Sequence, residues 1–102
     1  MDCDHGGAIR DYLARYLASG PVAIRSCCES ACTLALGWPE TCVTANARLG
    51  FHAASNANGT FLMYSMMPAT VRAWIDRHGG LAPRMIYLSG REAIRIGVRA
   101  CA

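Results

Sequence analysis

The chain has 102 residues, 53% of them hydrophobic and 17% charged, with a formal net charge of +3. This composition describes one small globular domain, too apolar and too weakly charged to be disordered. The positive charge comes from scattered arginines, from Arg10 to Arg99, spaced as solvated helix faces; this argues against a nucleic-acid-binding patch. No apolar run approaches the roughly 18 residues needed to span a bilayer.

The first predicted element is an amphipathic helix in "GGAIRDYLARYLASG". Ile9, Tyr12, Leu13, Tyr16 and Leu17 recur at i, i+3, i+4, i+7 and i+8, one apolar stripe, and Gly20-Pro21 ends it. "VAIRS" (22–26) is short and β-branched, hence a strand. "SACTLALGW" (30–38) reads as a short helix, apolar nearly all round and therefore buried. "TCVTA" and "RLGFH" read as two short strands separated by Asn46-Ala47. "AASNANGT" (53–60) has the small polar residues and the Asn-Gly pair of a loop. "FLMYSMM" reads as helical. Pro68 suits the first turn of the next helix, where Val71, Trp74 and Ile75 form a stripe and Gly79-Gly80 the cap. "APRMIYLSGREAIRIG" reads as one or two further short helices. The order of elements is α/β, in a single domain over 1–102. It opens with a helix where such a unit normally opens with a strand, which points to a missing N-terminal piece.

Six cysteines in so short a chain favour disulfides and an oxidising compartment. Zinc is the rival reading. Cys28 and Cys32 have C-x3-C spacing, but no second tight Cys/His pair follows at zinc-finger distance. No metal site and no cofactor is expected. The opening "MDCDHGG" has neither the basic nor the apolar region of a signal peptide. The cysteines thus speak for export while the N-terminus carries no export signal, as in a fragment; a cytoplasmic protein with reduced thiols is the alternative.

Three features carry candidate chemistry. Ser30 lies between a predicted strand and a predicted buried helix. It is either an N-cap serine or a nucleophile placed where the helix dipole favours negative charge. His52 ends a predicted strand, as a structural histidine or as a base. Gly6-Gly7 is either a flexible lead-in or a source of backbone N–H groups for an oxyanion.

Taken together, "DHGGAIRDYLARYL", "VAIRSCCESACTLALG" and "ARLGFHAA" resemble the Clp-protease/crotonase superfamily, and in particular its exported, cysteine-bearing bacterial members. The resemblance implies an α/β fold of that type, truncated at its N-terminus. It implies a serine hydrolase or peptidase with Ser30 as nucleophile, His52 as base (52 − 30 = 22 residues later) and Gly6 and Gly7 as the oxyanion hole. "LSGREAIRIGV", with Glu92-Ala93, is similar to the family's C-terminal helix. The substrate implied is a peptide or small ester, and fold analogy adds a homo-oligomer. The implied location is periplasmic or secreted.

The chain departs from the pattern at the third triad position. The matching stretch "RMIYL" has no carboxylate, Asp76 sits mid-helix, and His78 and His5 read as surface histidines. A Ser30-His52 dyad without an orienting acid is what remains. On the same resemblance Cys28, Cys32, Cys42 and Cys101 are disulfide candidates, with Cys32–Cys42 closing a short loop and Cys28–Cys101 tethering the tail. Cys3 and Cys27 are left to pair with each other, to stay free or to bond elsewhere. The alternative to a hydrolase is a catalytically degenerate, disulfide-stapled binding or assembly module of the same fold.

Overall fold

Three passes of chain, at 23–29, 42–51 and 86–100, each contribute one strand to each of two small sheets. A computed structural model describes residues 3–102. The first pass gives β1 (Ala23–Ile24) and β2 (Cys27–Glu29), the second β3 (Cys42–Val43) and β4 (Arg48–Phe51), the third β5 (Ile86–Ser89) and β6 (Arg99–Ala100). One sheet has the order β1-β3-β6 and is parallel throughout. The other has the order β2-β4-β5, with β2 parallel and β5 antiparallel to β4. The result is a compact mixed α/β domain with a radius of gyration of 12.2 Å.

A buried 3-10 segment over Ser30–Gly37 packs on the sheet that holds β2 and β4, and the first two α-helices pack on it. α1 (Ile9–Ser19) buries Tyr12 and Tyr16. Its apolar stripe is narrower than the periodicity predicts, because Leu17 is 77% exposed. Gly20 closes the helix by donating its N–H to Tyr16 O. The segment Ser30–Gly37 forms a 3-10 helix, η1, buried from Ala31 to Leu36. Its Ala and Leu residues leave no polar face, so it can sit only in the interior. Between the sheets and helices lies a core that includes Leu34, Leu49, Phe51, Met63, Val71, Ile75 and Leu88. α2 (Ala57–Met66) buries Met63 against η1, and α3 (Ala69–Arg77) buries Val71, Trp74 and Ile75.

Three predicted boundaries are corrected. The strand expected over 22–26 breaks at Arg25-Ser26, and the second strand runs into the cysteines. The Asn58-Gly59 pair lies inside α2 and makes no turn, because Asn56 accepts a hydrogen bond from Gly59 N and caps the helix two residues earlier. The stretch expected to be helical around 82–97 contains β5, which completes the sheet against β4, before α4 (Gly90–Arg95).

Candidate functional site

The site is built from the N-terminal segment, the β2–η1 junction and the end of β4. Residues 3–5 lie alongside β2 as an extra extended segment. Asp4 N donates to Cys27 O at 3.0 Å, and Glu29 N donates to Asp4 O at 2.8 Å, a parallel bridge between Asp4 and Cys28. The Cys3–Cys27 disulfide, with Cα atoms 4.7 Å apart, fastens the same segment. Asp4 then turns the chain: its carboxylate accepts from Gly6 N and from the Tyr12 hydroxyl. Burial, followed by the Asp4 contact, raises the Tyr12 pKa above its ordinary value.

Ser30 is the first residue of η1 and not its N-cap; its φ of 55° is the one non-glycine value in the left-handed region among the described residues. Backbone held in that region costs of order 1–3 kcal/mol and persists where the surroundings over-determine it. Here the surroundings are covalent. The Cys28–Cys32 disulfide, Cα atoms 5.3 Å apart, brackets Ser30 on both sides. Thr33 Oγ1 donates to Ser30 O, and Gly6 packs so closely that a Cβ there would lie 2.8 Å from Ser30 Cβ.

His5, Gly6, Gly7, Ser30 and His52 line one cleft of about 570 Å³, together with Asn56 and the apolar side of Met63. The fold therefore brings into one place the serine, the histidine and the glycine pair singled out in the sequence. It does not connect them as a catalytic set. No hydrogen bond joins Ser30 to His52 among the described residues. His52 Nδ1–H donates to the neighbouring Ala53 O at 2.6 Å.

The nearest buried carboxylate belongs to a different cluster. Glu29 Oε1 accepts from His5 Nδ1–H at 2.8 Å, and Cys3, Cys27 and Glu29 place their ligand-type atoms within 4.8 Å of one another. Asp76 is spent elsewhere, accepting from the Tyr64 hydroxyl on the exposed face of α3. His78 stacks on Trp74 and donates to its carbonyl. These contacts overturn the serine-hydrolase expectation. What the fold assembles here is a disulfide-bonded Cys/Glu/His cluster beside a cleft, and the Ser30-His52 dyad, its Gly6-Gly7 oxyanion hole and a peptidase activity are corrected accordingly.

The expected Cys32–Cys42 and Cys28–Cys101 disulfides are also corrected, while Cys3 and Cys27, left open by the sequence, pair with each other. The bonds are Cys3–Cys27, Cys28–Cys32 and Cys42–Cys101, leaving no free cysteine. Cys32 does not reach Cys42 because η1 turns Cys32 back over β2. Cys42 on β3 lies instead beside β6, whose register sets Cys42 against Arg99 and so brings up Cys101.

Sequence reasoning missed Glu29 and His5. The signal was present as two i, i+2 pairs, Cys3/His5 and Cys27/Glu29. In extended chain each such pair points to one face. No helix of the described residues is long and apolar enough to cross a membrane. Compared with protein-family models, with curated proteins and with solved structures, the chain finds no match.

Proposed function

We propose that this chain is a non-catalytic, disulfide-stapled binding module that holds a small polar ligand in the cleft between residues 5–7, Ser30 and His52. The observation that carries this reading is the covalent fixing of the cleft on two sides. Cys3–Cys27 holds the segment leading to Gly6 and Gly7, and Cys28–Cys32 holds Ser30 in a strained turn. A pre-formed cleft loses little conformational entropy when it binds. Its lining matches a small ligand bearing hydrogen-bond acceptors: the Ser30 hydroxyl and the Asn56 amide are polar groups set against the apolar side of Met63.

The resemblance to the Clp-protease/crotonase superfamily belongs to this proposal as the source of the fold, with its chemistry absent. An oxidising compartment, periplasmic or extracellular, belongs to it as well, supported by the pairing of all six cysteines. The test is a two-dimensional NMR titration of the oxidised protein with a panel of small carboxylates, amides and dipeptides. Binders should move the amide signals of Gly6, Gly7, Ser30 and His52 together, and Ser30→Trp should abolish the shifts. A fluorophosphonate probe should leave Ser30 unlabelled. Ser30-dependent labelling, or shifts confined to other surfaces, would overturn the reading.

A further inference from the structure

We infer that Cys3, His5, Cys27 and Glu29 form a divalent-metal site, suited to zinc, that is closed by the Cys3–Cys27 disulfide and opened when a dithiol reduces it. This goes beyond the cleft proposal and does not depend on it.

The placement follows from the backbone. The parallel bridge between Asp4 and Cys28 sets two extended segments side by side. Residues at i and i+2 on each share a face, so Cys3 and His5 stand opposite Cys27 and Glu29. The intervening residues point the other way: Cys28 is 1% exposed and joined to Cys32, while Asp4 reaches Tyr12. Three of the side chains converge, and His5 flanks them. Cys3 Sγ, Cys27 Sγ and a Glu29 oxygen lie within 4.8 Å of one another. His5 Nδ1 is 3.6 Å from Cys3 Sγ and 2.8 Å from Glu29 Oε1.

Tetrahedral zinc, with Zn–S near 2.3 Å and Zn–N near 2.0–2.1 Å, holds its sulfur and nitrogen ligands about 3.5 Å apart and its two sulfurs about 3.8 Å apart. The spacing of Cys3 Sγ from His5 Nδ1 is already met, and rotation of the exposed His5 side chain brings its ring toward Cys27. The two sulfurs need only part from bonding distance, a movement that side-chain rotation supplies. Two thiolates, one imidazole and one carboxylate are ligands that zinc accepts. Access is open from the histidine side, since the His5 side chain is 74% exposed while that of Glu29 is 10% exposed.

A dithiol reductant gives two electrons and two protons to the Cys3–Cys27 bond and becomes a disulfide itself. The metal then displaces both thiol protons to solvent. The His5 proton moves from Nδ1 to the solvent-facing Nε2, which frees Nδ1 as the ligand. In an oxidising compartment the pair stays a staple; a dithiol donor converts it to a metal site.

Cobalt(II), as a spectroscopic stand-in for zinc, tests this on the full chain. Oxidised protein should give no tetrahedral d–d bands. After dithiol reduction under anaerobic conditions it should take up one equivalent, with those bands and a thiolate-to-cobalt charge-transfer band. His5→Ala and Glu29→Gln should each weaken cobalt binding by at least about tenfold, the loss seen even when only an outer-shell partner is removed. The Cys3→Ser/Cys27→Ser double variant should lose the charge-transfer band while keeping its other four cysteines. Zinc should also raise the melting temperature of the reduced wild type and not that of the double variant. Reduced protein that takes up no cobalt, a double variant that binds as tightly as wild type, or His5→Ala and Glu29→Gln both without effect would each overturn the site. The cleft titration uses oxidised protein, so the two proposals fail separately.

Discussion

At the scale of the residue, Tyr16 shows how one polar group is made to serve a buried position. Tyr16 is only 3% exposed, and its buried hydroxyl finds a partner by donating to Cys32 O of η1 at 3.0 Å. Burial pushes its pKa from 10.0 up to about 12, with the Asp4 carboxylate adding to the rise. The neutral phenol is thus favoured in the folded state. Its contribution is complete below pH 10 and is lost as the pH climbs toward 12, because the unfolded chain ionises first. Urea denaturation from pH 9 to pH 12 should therefore show stability falling across that window. Tyr16→Phe should flatten the fall while costing about 1 kcal/mol at neutral pH for the lost hydrogen bond; an unchanged alkaline slope would remove Tyr16 from this role. Ser30 is the opposite case. Its residue type reads as an N-cap, but it is left-handed inside the Cys28–Cys32 loop and packed against Gly6, a setting that no helix propensity contains.

At the scale of the element, long periodic stretches were legible and short apolar ones were not. α1 and α3 follow from their spacing, and η1 follows from its uniformly apolar composition, although its 3-10 form does not. β5 reads as helix in the sequence because "IYLS" is four residues long, and at that length an apolar run fits either period. What makes it a strand is its partner: all four residues pair with Arg48–Phe51. The turn into α4 depends on a similar long-range fact. Gly90 N donates to Ala47 O at 2.7 Å, Arg91 N donates to Ala45 O at 3.0 Å, and a Cβ on Gly90 would run into Thr44 O. That obstacle is backbone and cannot rotate away. Gly90→Ala should cost about 3 kcal/mol or more in chemical denaturation, at the upper end of overpacking effects. A cost below about 1 kcal/mol would show that the 44–47 turn yields. Gly20→Ala has no such obstacle, so its cost should come from the positive φ of 78° alone.

At the scale of the whole molecule, the disulfides decide how a core this small persists. The cysteine count announced them, but 15 pairings are open to six cysteines and only the topology chooses. Cys42–Cys101 follows the β3–β6 pairing, Cys3–Cys27 follows the bridge of the N-terminal segment to β2, and Cys28–Cys32 follows the turn of η1. The candidate site was legible to the same degree. The gathering of Gly6, Gly7, Ser30 and His52 was an expectation only through the resemblance, since each of them alone reads equally as a structural residue. For Glu29 and His5 the two i, i+2 pairs mark the faces, but that these faces meet depends on a strand contact 24 residues apart in sequence. These connections span very different lengths of chain, with separations of 59, 24 and 4 residues. On loop-closure entropy alone, removing Cys42–Cys101 should cost about 4 kcal/mol, removing Cys3–Cys27 about 3.5 and removing Cys28–Cys32 about 2. Pairwise Cys→Ala variants unfolded in urea under non-reducing conditions measure the order directly. The smallest entropic term belongs to the most buried bond, Cys28–Cys32, where losing the bridge also frees the strained turn at Ser30. That release offsets part of the lost bridge, so its variant should remain the most stable of the three, while the Cys42–Cys101 variant, with β6 and the C-terminal tail untied from β3, should be the least. The reverse order would mean that these bonds act by packing at the cleft and not by restraining the unfolded chain.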